Sequence, residues 1–262
     1  ERRAEQAGPT APPGHAFGRR IRARQGPRAR CGGALARGVL RGPDPQGPLA
    51  LYLNGYAYHG HRHDDTLGLV FYAYGRELAS DRGYIWDDPR NAWTASTLAH
   101  NLVTVDDQNQ TRPGRASRLR LFGRTPWAEV IEADANAYTQ CDLYRRGCVL
   151  VPLAEGAAYV LDVFRVRGGR RHSYGFQCNG RLEGLTGTEL APLAGSHRWL
   201  SAHRSGPAPA GLSATWADAE EVRTTLHLLT AADRAVVADA PGWRSSKGTD
   251  LQAPPIQQLF LE

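Results

Sequence analysis

At 262 residues, 41% of them hydrophobic, the chain is long enough for one large domain or two small ones. It holds no run of about 18 apolar residues, so no helical membrane span is expected, and no signal peptide is recognisable. The net charge of +6 raises nucleic acid as a partner, but residues 1–48 carry ten arginines against Glu1, Glu5 and Asp44, a sum of +7, which leaves −1 for the remaining 214 residues and argues against one.

All but one of the 32 basic residues are arginine, which beside so much Ala, Gly and Pro reads as coding bias. No methionine occurs, even at position 1, so the native start is expected upstream. Cys31, Cys141, Cys148 and Cys178 form no CxxC pair, which argues against a cysteine zinc site. They read as buried thiols, with a Cys141–Cys148 disulfide left open for an oxidising compartment.

Residues 1–48 are rich in Arg, Gly, Pro and Ala and poor in bulky apolar side chains. Such a segment cannot bury enough surface to offset its ordering entropy, so it reads as a largely disordered tail or the remnant of an upstream domain. Order is expected from Pro48–Leu53 onward, with residues 49–262 as one β domain.

The stretch Tyr58–Leu67 packs His59, His61, His63, Asp64 and Asp65 together. On an extended backbone His61, His63 and Asp65 share one face, and Arg62 and Asp64 the other. Imidazole and carboxylate on one face suit a metal or proton-transfer site. A strand, Leu69–Tyr74, follows directly and offers rigid support.

After the turn at Gly75-Arg76 comes Glu77–Tyr84, then a loop from Asp87 to Ser96. The β-branched segment Thr97–Asp106 is expected to carry His100 into a strand. Asp107–Arg115 is polar and turn-rich. Further strands are expected at Leu119–Phe122, Ala128–Ala133, Leu143–Pro152, Ala157–Val166, Arg171–Cys178, Glu221–Thr230 and Ala235–Ala240. Glu155-Gly156, Gly168-Gly169 and Asn179-Gly180 supply turns. Ile256–Glu262 reads as a strand with no turn after it, so the C-terminus is also expected to be cut short. There is no internal repeat. Short strands at roughly ten-residue spacing, with little helical periodicity, predict an all-β fold, a large antiparallel β-sandwich.

Three elements in order, His61-x-His63-x-Asp65-x-Leu67, Asp81-x-Gly83-Tyr84 and Ala99-His100-Asn101, resemble the heparinase II/III-like polysaccharide lyases, which include oligo-alginate lyases. His63 to Asp81 is 18 residues and Asp81 to His100 is 19. Tyr144-Arg145-Arg146, the run Val160–Gly169 and His172-Ser173-Tyr174 are also similar to the family. The resemblance covers about residues 49–250. It implies a C-terminal β-sandwich without the family's upstream α/α toroid domain, a lyase of uronic-acid glycans, and an acidic polysaccharide or oligosaccharide as partner. It implies that His63, Asp81 and His100 bind a structural zinc ion, and that His61 is the catalytic-face histidine, as base or as partner of the substrate carboxylate. His61 as a mere prop for the zinc stays open. A periplasmic or secreted location follows from the resemblance alone. The family's acid/base tyrosine comes from the helical domain, so little activity is expected of this chain by itself.

His59 has no family role. Asn101 is expected to cap a turn or pair with backbone. Arg171, His172 and Tyr174, with Arg170, form a basic-aromatic group that either faces an acidic sugar or makes a solvated hairpin tip. Trp86 and Trp93 either stack on a sugar ring or plug their loop. Two rival readings remain. Metallo-β-lactamase-like hydrolases use H-x-H-x-D-H, but Thr66 stands here where the last histidine belongs. A non-catalytic, zinc-stapled sandwich that binds acidic glycan or packs on a helical domain fits the same residues.

Overall fold

The computed structural model describes residues 37–42, 49–55, 63–85, 88–111, 117–153, 157–195, 197–243 and 252–262. Of two contact units, Glu1–Arg30 and Cys31–Glu262, the second holds all of these. The readings for Cys31, His59, His61, Trp86, Glu155-Gly156 and most of the 1–48 segment lie outside the described residues.

The strands alternate in chain order with turns and little else. β1 (Arg37–Gly42), β2 (Leu49–Asn54), β3 (Leu69–Ala73) and β4 (Arg76–Ala79) form an antiparallel meander. One helical turn, α1 (Asn91–Thr94), and a 3-10 turn at Thr97–Ala99 lead to β5 (Val103–Val105). β6 (Arg118–Arg124), β7 (Glu129–Asp134), β8 (Cys141–Pro152) and β9 (Ala158–Gly168) make a second meander. Then follow β10 (His172–Phe176), β11 (Arg181–Thr186), β12 (Ala191–Pro192), β13 (Ser201–Ala208), β14 (Ser213–Ala217), β15 (Arg223–His227), β16 (Ala232–Ala240) and β17 (Ile256–Leu261). They build a six-stranded sheet, β12-β13-β16-β17-β10-β5, and a small sheet, β11-β14-β15. Every described pairing is antiparallel, and no described helix is long and apolar enough to cross a membrane.

One core joins the sheets. Leu40, Leu51 and Leu53 from the first meander share it with Ile131, Cys148 and Leu150 from the second, and with Trp216, Val237 and Leu259. β1 lies against β7 and β8, and the Arg41 amide donates to Glu129 Oε2 at 2.5 Å. In β8 the two-residue period is plain: Tyr144, Arg146, Cys148 and Leu150 are buried while their neighbours are not. Arg146 is the one charged residue on that inner row, and it serves the site described below. The turn after β9 needs its glycines. Gly168 and Gly169 have φ of +98° and +78°, and a Cβ on Gly169 would meet Val105 Cγ1 at 2.4 Å.

Four readings are corrected. Residues 37–42, placed with the tail, form β1, because Leu40 is fully buried by partners far along the chain. His63–Gly68 is a turn rather than a strand. Leu67 takes φ +68°, and the Gly68 amide donates to Asp65 O at 2.7 Å. His100 follows a 3-10 turn, and the strand it was expected to enter is only Val103–Val105. Cys141 and Cys148 are free and lie on one strand, seven residues or about 23 Å apart, far beyond disulfide reach. Strands β11, β13 and β14 escaped notice, since Gly, Ser, Ala and Pro in them carry weak β preference and their pairing partners supply the order.

Candidate metal centre

Two loops and a strand exit bring four side chains together: His63 and Asp65 from the turn before β3, Asp81 after β4, and His100 after the 3-10 turn. Their ligand atoms all lie within 4.8 Å of one another. Asp81 Oδ1 is 2.8 Å from His100 Nε2 and 3.2 Å from His63 Nδ1, and the two nitrogens are 3.0 Å apart. Ligand atoms around a four-coordinate zinc with bonds near 2.0 Å stand about 3.3 Å apart, so this triangle has the size such an ion needs.

The turn that carries His63 and Asp65 is tied down on every side. The Leu67 amide donates to Asn54 O, and Thr97 Oγ1 donates to Asp64 O, both at 2.7 Å. The Gln110 side chain takes the Thr66 amide at 2.9 Å and donates to the Thr66 carbonyl at 2.8 Å, the work of a strand neighbour done by one amide. Arg146, fully buried, closes the back. It forms a two-point pair with Asp162 at 2.9 and 2.7 Å, and its Nη1 donates to Leu67 O and Asn101 O at 2.7 and 2.6 Å. One guanidinium therefore joins the loop of His63 and Asp65 to the loop of His100.

Protonation shows what the cluster lacks. His100 Nδ1 sits 2.7 Å from Ser96 O, so in the neutral ring that nitrogen carries the proton and Nε2 presents a lone pair. That lone pair faces the Asp81 carboxylate, acceptor against acceptor. Burial opposes charge on His100, but the Asp81 hydrogen bond and the charges of Asp81 and Asp65 outweigh it and raise its pKa. Burial likewise works against the Asp81 anion, and the His100 and His63 hydrogen bonds overcome it, holding that carboxyl far below its usual range. Asp65 is fully buried and burial raises its pKa. Its Oδ2 accepts from Asn54 Nδ2 at 2.6 Å, and its Oδ1 has no partner. A second proton on His100 or a bound cation relieves the arrangement. Two imidazoles and two carboxylates form a donor set suited to zinc.

The structure thus brings together His63, Asp81 and His100, and adds Asp65, which the sequence placed on the same face without a role. Asn101 pairs with backbone as expected, its Oδ1 accepting from the Gln177 amide at 2.8 Å. Trp93 is buried as a plug, with Nε1 donating to Pro241 O at 3.3 Å. Arg171 is exposed and paired with Asp107, and His172 Nε2 lies 2.8 Å from Gly168 O. The Tyr174 hydroxyl donates to Asp162 at 2.8 Å, and burial raises its pKa well above the phenol range. Tyr84 stacks beside His63, ring centroids 6.4 Å apart. Gln110 and Arg146 went unassigned by sequence. Arg146 had a signal, a charge on the apolar row of an alternating strand; Gln110, in a polar loop, had none.

Residues 50–152, which include all four cluster residues and Arg146, match the family model "Heparinase II/III-like, C-terminal". An alginate lyase of Stenotrophomonas maltophilia (strain K279a) is 27% identical across 60% of this chain and 25% of that protein. A heparinase III gene product shares the fold at TM-score 0.54 and 16% identity, covering 85% of this chain and 31% of that one. The heparan sulfate lyase HepC from Pedobacter heparinus does so at 0.55 and 13%, with the same coverage. The chain spans a quarter of the alginate lyase and under a third of either solved lyase.

Proposed function

Residues 50–152 match the heparinase II/III-like C-terminal family, and from that premise we propose that the chain is the β-sandwich part of a polysaccharide lyase that cleaves uronic-acid glycans by β-elimination, with a structural zinc held by His63, Asp81 and His100. The observation that carries the reading is the triangle of His63 Nδ1, Asp81 Oδ1 and His100 Nε2, no side longer than 3.2 Å. Zinc there supplies positive charge that ties the two loops together, and Asp65 adds a second carboxylate beside it.

The elimination removes the proton at C5 of a uronate, breaks the C4–O bond and leaves a C4=C5 double bond; the departing oxygen takes up a proton. The difficult charge develops next to the sugar carboxylate, so a group that neutralises that carboxylate lowers the barrier. His61, two residues before His63, is the residue we assign to this role. The acid and base belong to a helical domain outside this chain, as in the resemblance that motivates the reading. Should this chain supply its own phenol, Tyr84 beside His63 is the residue to test. The Tyr174 hydroxyl is engaged by Asp162. Arg171 and His172 remain low-priority contacts for acidic sugar on the exposed turn.

The test joins this chain to its upstream helical region and follows the ultraviolet absorbance of the unsaturated product. His61→Ala should abolish turnover while keeping one zinc per chain. Zinc loss in His61→Ala would make His61 a ligand, and wild-type protein that binds acidic glycan without forming unsaturated product would leave a non-catalytic binding module.

A further inference from the structure

A second candidate site is linked through the α1 turn to the His63–Asp81–His100 cluster. Trp199 and Trp243 meet at a right angle, 89° between planes and 5.7 Å between centroids. With Ser201, Asp239, Pro241 and Pro255 they line a cavity of about 210 Å³. At about 30 Å³ per water that is room for roughly seven waters, enough for one sugar ring and short of the 300 Å³ or more typical of larger ligands.

The polar groups are placed for use. Ser201 and Asp239 are directly opposite each other across β13 and β16, so their side chains stand together on one face. Among the described residues neither side chain has a hydrogen-bond or ion-pair partner. Arg198 lies over the Trp199 ring at 4.5 Å with no carboxylate partner among the described residues, and Arg90, paired with Asp88, lies over Trp243 at 5.5 Å. A flat indole face suits the C–H side of a pyranose, and a neighbouring hydroxyl and carboxylate suit two ring hydroxyls. Guanidinium groups at the rim suit a carboxylate or sulfate substituent. The same guanidiniums repel a cationic ligand, and Asp239 disfavours a purely apolar one.

The cavity is also wired to the cluster. Trp93 Nε1 donates to Pro241 O on the cavity wall. From the same turn, Ala95 O accepts from the Asp64 amide at 2.8 Å and Ser96 O holds His100 Nδ1. We propose that the Trp199–Trp243 cavity is a saccharide subsite that takes one ring of an acidic oligosaccharide. This rests on the glycan reading above and adds a second point of contact remote from the eliminated bond.

The test is isothermal titration of the 262-residue chain with a saturated alginate tetrasaccharide, with neutral cellotetraose as comparator and zinc content measured for every variant. Trp199→Ala and Asp239→Asn should each weaken binding at least tenfold at unchanged zinc content, and Trp199→Phe should retain most of it. Equal affinity in wild type, Trp199→Ala and Asp239→Asn overturns the subsite, as does equally tight binding of cellotetraose. If binding instead falls only in His61→Ala, the lyase reading stands and the cavity is excluded. If wild type binds neither probe, the subsite falls, while the lyase reading is decided separately by product formation in the joined protein. Asp239→Asn decides the matter should the tryptophan variants fail to fold.

Discussion

Two clusters of buried charge lie back to back in this protein, and they are satisfied differently. In the Arg146–Asp162–Tyr174 group each described contact pairs a donor with an acceptor: guanidinium to carboxylate, guanidinium to the carbonyls of Leu67 and Asn101, phenol to carboxylate. In the His63–Asp65–Asp81–His100 group a neutral His100 turns a lone pair toward a carboxylate, and Asp65 Oδ1 has no partner. The first group is complete as it stands and therefore reads as framework. The second wants a proton or a cation, and that shortfall is what distinguishes a binding centre from a buried network.

The largest expected effect comes from breaking the complete group. Arg146→Met leaves the Asp162 charge without its guanidinium and frees two carbonyls, and should cost about 3–5 kcal/mol in chemical denaturation. The double variant Arg146→Met/Asp162→Leu should recover part of that loss; no recovery would mean that the carbonyl contacts, not the ion pair, carry the framework role.

The incomplete group should respond to metal instead. Zinc at a thousandfold its dissociation constant stabilises the native state by about 4 kcal/mol. Chelator should therefore lower the melting temperature of wild type and leave His100→Ala and Asp81→Ala unmoved, both of which should carry no zinc by elemental analysis. Identical melting of wild type with and without chelator would show that the cluster is met by protons alone. Asp65→Asn sharpens the comparison further. It keeps the shape and the Asn54 neighbour, and should weaken zinc roughly 10- to 100-fold in a chelator competition. An unchanged affinity would place Asp65 outside the metal's reach.

The smallest effect belongs to Asp134, a buried carboxylate whose partners Arg118 and Arg120 reach the surface. Burial pushes the Asp134 carboxyl up, and hydrogen bonds from Arg120 and Arg118 more than reverse this, leaving its pKa depressed. A carboxylate whose pKa is lower in the folded than in the unfolded chain adds stability above the unfolded value, lost as pH falls through the folded one. The deficit of Asp134→Asn against wild type should thus be present at neutral pH, within about 1 kcal/mol, and shrink below the ordinary carboxylate value of 3.8. A deficit that grows in acid would contradict the sign.

Much of this was legible in the residues because the signals are local. Short strand-like runs between turn signals marked β8, β9 and β16, and Gly168-Gly169 marked a turn that demands positive φ. The spacing of His63, Asp81 and His100, read through a family resemblance, named three of the four clustered side chains. What tertiary structure decided is what depends on partners far along the chain. β1 is a strand because β2 pairs with it and Leu40 finds a core. His63 and Asp65 converge from a turn, held by Gln110, Asn54 and Thr97, rather than from an alternating strand. Arg146 joins loops 79 and 45 residues away, and Ser201 meets Asp239 only because β13 and β16 pair. Local sequence sets the period of the backbone and the identity of the chemical groups. Which groups share a desolvated space, and whether each finds its partner there, is settled only when the distant segments pack.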